Sequence, residues 1–127
     1  MQLLFEESSE IKKTKGLGLI KGKVTTSSFN NKKAINIGWE KVFVRKKNAF
    51  LSKESMNKKF YFIHKYLCKP KNKYNILAHS QFNNSLFCAA IKFKNIEAYQ
   101  FQAEKSGLNG LKIYNNIKKK INSEKFI

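Results

Sequence analysis

Residues 99–111 read YQFQAEKSGLNGL: apolar and polar residues alternate, then a carboxylate, Glu104, and a lysine, Lys105, stand at a turn before helical sequence. Strand ends of this kind are where α/β folds set their chemistry. Thiols and imidazoles, the groups that nucleophilic catalysis and metal binding draw on, are few: Cys68, Cys88, His64 and His79. Neither cysteine has a CxxC partner or a histidine at ligand spacing, so neither a zinc site nor a disulfide framework is indicated. Both read as buried thiols, small hydrophobes rather than nucleophiles. His64 reads as a satisfied structural residue at a strand end. His79 reads as a surface residue, in a strand followed by polar turn residues.

The elements that must hold these groups are mostly strands. Gly16, Gly18 and Gly22 punctuate GLGLIKGKV, and strands are predicted over 34–38, 41–44, 60–66, 75–79, 86–93 and 96–101, rich in β-branched and aromatic residues. Polar residues 81–85 form a turn between two of them. Leu108, Leu111, Tyr114, Ile117 or Lys118, and Ile121 recur about once per helical turn, which predicts a helix over 108–121 that closes the sheet, with Gly107 near its start. The lysines at 118–120 read as the solvated face and C-terminal end of that helix. The first ten residues, MQLLFEESSE, also predict a helix, with Leu3, Leu4 and Phe5 opposite Glu6, Glu7 and Glu10, although no capping residue precedes them.

A length of 127 residues fits one domain or part of one, and 42% apolar with 13% aromatic residues is enough to build a core, which excludes disorder along the whole chain. No uncharged apolar stretch approaches the roughly 20 residues of a membrane span. The N-terminus has no basic region or cleavage site, so a cytoplasmic chain is the expectation. The net charge of +18, from 26 basic and 8 acidic residues, points first to nucleic acid. Yet Arg45 is the single arginine, the lysines are scattered from Lys12 to Lys125, and every acid is Glu. That pattern reads as the drift of an AT-rich genome more than a phosphate-binding stripe, and it places a lysine-rich nucleic-acid binder last among the readings.

QFQAEKSG resembles the QFHPEKSG element that ends the last strand of class I glutamine amidotransferases, where the His and the Glu two positions later complete a Cys-His-Glu triad. INIGWEKV at 35–42 resembles the family's PHMGWN stretch, YFIHKY at 61–66 resembles YFVHSY, and GLGLIKGKV resembles GLGLIPG. The four run in the family's order and are similar to the glutaminase subunits of imidazole glycerol phosphate synthase. The resemblance implies an α/β fold: the C-terminal part of the flavodoxin-like amidotransferase sandwich, strand-rich with a closing C-terminal helix. Residues 1–127 would form a single partial type-1 amidotransferase domain without its N-terminal third. The implied activity is hydrolysis of glutamine to glutamate and ammonia, delivered to a HisF-like cyclase subunit in a heterodimer of histidine biosynthesis. No metal or organic cofactor is implied, because side chains carry that chemistry.

The same resemblance implies a silent site. In the family MQLLFE follows the G-x-C-x-G elbow, so the nucleophilic cysteine is expected to be absent from this chain. Gln102 stands at the triad His position, and an amide has no proton that titrates near neutral pH. Glu104 is left as the triad orienter, and Ala103 replaces a proline. Losing one triad member generally lowers kcat by about 10⁴-fold or more. Gln2, Lys65 and Tyr66 match positions that hold the substrate glutamine, while Trp39 and Lys105 match positions that face the cyclase. Taken alone, Trp39 reads equally well as a core aromatic and Lys105 as a solvated turn lysine. Alternative readings are a paralogue that serves surface-sugar amidination and a non-catalytic docking subunit. Strands deprived of neighbours would leave bare edges and apolar faces, so the isolated chain is expected to be poorly soluble or partly unfolded.

Overall fold

A computed structural model describes residues 1–29, 32–47 and 49–124. Among them the chain forms strands β1 (Phe5–Ser8), β2 (Thr14–Lys15), β3 (Ile20–Thr26), β4 (Ser28–Phe29), β5 (Lys32–Lys33), β6 (Asn36–Val44), β7 (Lys59–His64), β8 (Tyr66–Pro70), β9 (Ile76–Phe82), β10 (Ser85–Phe93) and β11 (Ile96–Tyr99), then helix α1 (Gly107–Glu124). This is a strand-rich α/β arrangement with two main sheets and one C-terminal helix. The four-stranded sheet runs β2-β1-β3-β8, the five-stranded sheet β11-β10-β9-β6-β7, and β4 pairs with β5. Among the described residues β1 and β3 are parallel and every other pairing is antiparallel.

Alternation along the strands decides what is buried. Val42 and Val44 of β6, Phe60 and Phe62 of β7, Ala78 of β9 and Phe87 and Ala89 of β10 share one core, with Leu51, Phe101 and Ile113 packed in from loops and α1. Phe60 and Phe62 are fully buried, each contributing roughly 1.5–3 kcal/mol, and both rings pack on Phe101. A second cluster of Phe5, Ile20, Val24, Cys68, Cys88 and Ile91 joins the four-stranded sheet to β10.

Several expectations are corrected by the fold. The N-terminal segment is not a helix: a single 3₁₀ turn, Gln2–Leu4, leads straight into β1. With no cap to start a helix, Phe5 gains more by burying fully as β1 pairs with β3. The two strands predicted at 34–38 and 41–44 are one, β6, whose residues 36–41 pair with β7 on one side and 42–44 with β9 on the other. The strand predicted over 60–66 breaks at Lys65, and its halves enter different sheets. The last strand stops at Tyr99 rather than 101.

The helix forms where predicted but rolls away from the predicted stripe. Gly110 and Ile113 are its buried residues and Ile117 is partly buried, while Leu108, Leu111, Tyr114 and Ile121 face outward. Gly110 fixes the rotation, because a Cβ there would lie 1.8 Å from the Ala103 carbonyl oxygen. The lysines at 118–120 are exposed, as read. Among the described residues no helix is long and apolar enough to cross a membrane.

Glu97 of β11, unnoticed in the sequence, ties the loop before residue 52 to the sheet. Its carboxylate, 3% exposed, accepts hydrogen bonds from the Phe50 and Leu51 amides, from Lys92 Nζ at 3.0 Å and from the Tyr99 hydroxyl at 2.9 Å.

Candidate functional site

The turn that carries Gln102, Glu104 and Lys105 is sewn onto the outer edge of β7. The Gln102 amide donates to the Tyr61 carbonyl at 2.9 Å, and the Tyr61 amide donates to Ser106 Oγ at 3.0 Å. Ser106 Oγ in turn donates to the Gln102 carbonyl at 2.7 Å. Both backbone groups of Tyr61 are thereby satisfied, and a 3₁₀ turn, Ala103–Lys105, leads into α1. The sequence pointed to Gln102, Glu104 and Lys105 but missed Tyr61, Ser106 and Gly110, which position them. Ser106, inside EKSG, was the one visible hint.

Within the turn Gln102 is half-buried, and its side-chain oxygen is buried with no hydrogen-bond partner. Glu104 and Lys105 are exposed. Among the described residues Glu104 has neither a hydrogen bond nor an ion pair, so nothing is oriented by it. The Gln102 amide can bind, but it cannot take up a proton and return it near neutral pH.

The remaining candidates fall elsewhere. Gln2 lines a cavity of about 370 Å³ together with Leu3, Ser8, Glu10 and Ile11, and none of Gln102, Glu104 or Lys65 borders it. Tyr66 reaches its rim, since the tyrosine hydroxyl donates to the Glu10 carbonyl at 2.7 Å. Lys65 is exposed at the β7–β8 break, and its carbonyl accepts from the Ser27 amide. Gln2 and Tyr66 are thus brought near a common pocket, and the Gln102 turn is not part of it.

Neither histidine supplies a base to the turn. His64 is buried against Phe62 and Phe87. Its Nδ1 lies 3.0 Å from the Tyr66 carbonyl, which can only accept, so Nδ1 carries the proton and Nε2 accepts from Asn36 Nδ2 at 3.2 Å. Burial lowers its pKa from the ordinary value, opposed by the Tyr66 hydrogen bond. The structural reading of His64 therefore stands. His79, expected at the surface, is half-buried instead and lines a cavity of about 250 Å³ with both cysteines. Burial, then the Arg45 charge, lowers its pKa.

Burial pushes both thiols up to about 12, so Cys68 and Cys88 are protonated at neutral pH. They are buried and free of disulfides, as read. Among the described residues no group of three His, Cys, Asp or Glu side chains is placed to hold a metal ion.

Trp39 is not a core aromatic: it is 48% exposed, because its position in β6 alternates with the buried Val42 and Val44 register and points it outward. Ile35, Ile37 and, across the strand, Ile63 share that outer face, with Ile37 opposite Ile63 and Trp39 opposite Tyr61. The Trp39 and Tyr61 rings meet edge-on at 5.9 Å. Tyr61 thus holds Trp39 with its ring and the Lys105 turn with its backbone, so both candidate interface residues sit along one edge. A cavity of about 430 Å³ beside Trp39 is lined by Glu40, Phe43, Lys59, Asn83 and Asn84. The Glu40 carboxyl is raised by partial burial and drawn back by Lys59.

No protein-family model matches the chain. Among curated proteins it is similar to the imidazole glycerol phosphate synthase subunit HisH of Pyrococcus furiosus, 36% identical over 119 residues, which is 94% of this chain and 60% of that protein. It is 37% identical over 116 residues to the HisH of Chlorobium chlorochromatii, covering 91% of this chain and 58% of the relative. The HisH of Aquifex aeolicus is 33% identical over 120 residues, 94% and 57% of the two chains. The chain spans about 60% of the length of the curated relatives it matches.

Proposed function

Because the chain is a homologue of HisH subunits along nine tenths of its length, we propose that it is a docking subunit for a HisF-like cyclase barrel and does not itself release ammonia from glutamine. In this reading residues 1–127 form a single partial type-1 glutamine amidotransferase domain. The observation that carries the reading is the β6–β7 edge, where Ile37, Trp39 and Ile63 are exposed beside the Lys105 turn. A large aromatic set among aliphatic neighbours, with a cation at the rim, is the composition of an interface centre. Isolated exposed apolar residues need no explanation, but a paired stripe across two strands does.

The chemical half of the proposal rests on Gln102. An amide at the base position cannot take a thiol proton and return it to leaving ammonia, and Glu104 has no imidazole to orient. Gln2 and Tyr66 would then bind glutamine, if at all, without turning it over. The cyclase would draw on free ammonia.

The test is to mix the chain with the cyclase subunit of a histidine-pathway synthase and follow sedimentation, glutamine hydrolysis and ammonia-dependent cyclisation. A 1:1 complex is expected, weakened at least tenfold by Trp39→Ala, with no glutamate formed and ammonia-dependent turnover retained. Failure to form the complex removes the docking role; glutamate production that needs the chain removes the silent site.

A further inference from the structure

On the other main sheet, the four-stranded β2-β1-β3-β8, charge collects that the sequence scatters. The register that turns Val24 and Cys68 inward turns Lys23 and Lys69 outward, directly opposite one another on β3 and β8. The row continues through Glu7 of β1 to Lys15 of β2, and Lys71 follows just past β8. These groups border a cleft of about 650 Å³.

The acidic members of the cleft are already engaged. Glu6 Oε2 accepts from the Gly22 amide at 2.9 Å, and Glu7 pairs with Lys13 at 3.1 Å. Among the described residues Lys15, Lys23, Lys69 and Lys71 form no ion pair. All four are exposed. Like charges directly opposite on neighbouring strands repel, and an anion lying between them would relieve that repulsion. Adjacent strands lie about 4.8 Å apart, so one ligand with two or three linked anionic groups can reach Lys23, Lys69 and Lys71 together.

We propose that this cleft binds an oligophosphate, a small ligand carrying two or three linked phosphoryl groups. The lining contains no aromatic side chain, so it offers no surface on which bases would stack, and this favours a small oligophosphate over a nucleic-acid strand. Lysine ammonium groups suit the task, being point charges that need no fixed geometry around each phosphoryl oxygen. The site is independent of the docking edge and of Gln102.

The experiment is calorimetric titration of the full chain with inorganic tripolyphosphate at about 50 mM and about 200 mM salt, where phosphate contacts by lysine give affinity that falls as salt rises. One ligand per chain is expected. Lys23→Gln with Lys69→Gln should weaken binding at least tenfold, Lys23→Arg with Lys69→Arg should retain it, and Lys118→Gln with Lys119→Gln on α1 should leave it within twofold. Circular dichroism of each variant separates loss of binding from loss of fold. The proposal is overturned by no binding, by several ligands per chain, by equal weakening in the α1 variant, or by tighter binding of a single-stranded oligonucleotide with the same number of phosphates.

Discussion

Replacing Gly110 by alanine tests the packing that positions the Gln102 turn. The new Cβ would lie 1.8 Å from the Ala103 carbonyl oxygen and 2.8 Å from its carbonyl carbon. Both are backbone atoms, held by the hydrogen bonds that tie the turn to Tyr61. The helix must therefore move outward, straining the contact by about 1–3 kcal/mol as overpacked sites do. Ile113, 1% exposed, is withdrawn from the core as it moves, which forfeits part of a further 1.5–3 kcal/mol or so. Alanine returns about 1 kcal/mol through its better helix propensity. The expected net loss is about 2 kcal/mol, read from urea unfolding followed by circular dichroism of α1. Gly107→Ala is the control: Gly107 has φ +56° with open space around a Cβ, so only backbone strain of about 1 kcal/mol applies. A Gly110→Ala chain as stable as the parent would show that α1 does not rest on Ala103, and would remove the account of how the turn is held.

Glu97→Gln keeps the shape but removes the charge that accepts from two backbone amides, Lys92 and Tyr99; a loss of about 1–3 kcal/mol is expected in the same urea assay, and no change would mean the loop is held otherwise. The folded pKa of His64 lies below its ordinary 6.5, so the unfolded chain takes up a proton first. Stability should be greatest above pH 6.5 and fall as the pH drops towards the folded pKa, by at most about 1.4 kcal/mol per pH unit from this residue. His64→Gln, compared with the parent across pH 5 to 8, should flatten that fall. Iodoacetamide should modify Cys68 and Cys88 at pH 7.5 at least about a hundredfold more slowly in the folded chain than in urea, since a thiol raised to about 12 has almost no thiolate; equal rates would refute their burial.

Much of this architecture can be read in the sequence, and the failures share a cause. The β10 and β11 strands, the Asn83–Asn84 turn and α1 follow from local alternation and periodicity, which neighbours in sequence decide. Direction is harder. In β6 both faces carry large apolar residues, so alternation fixes that Ile37 and Trp39 share a face without saying which face is covered. In α1 two apolar stripes compete, and a glycine with no side chain settles the choice by letting the backbone approach Ala103. At the site, Gln102, Glu104 and Lys105 were legible because their types are chemical. Their anchor was not, because Tyr61 holds the turn through backbone groups that every residue possesses.

The divided pairing of β6 bears on how the molecule opens. Residues 36–41 are bonded to β7 and residues 42–44 to β9, so one continuous strand belongs to two hairpin partners placed on opposite sides of it. The β9–β10–β11 meander can hold its ladder while the first two thirds of β6 open with β7, since the β6–β9 ladder stops at Val42 and beyond it the meander reaches β6 through Ser80 Oγ, which donates to the Lys41 carbonyl at 2.8 Å. Amide hydrogen exchange should then resolve two cooperative units within a single strand, meeting at Val42, which is bonded to Asn57 and Lys58 on one side and paired with β9 on the other. The unit that contains β7 carries Trp39 together with the buried Phe60 and Phe62, so its opening also uncovers part of the core.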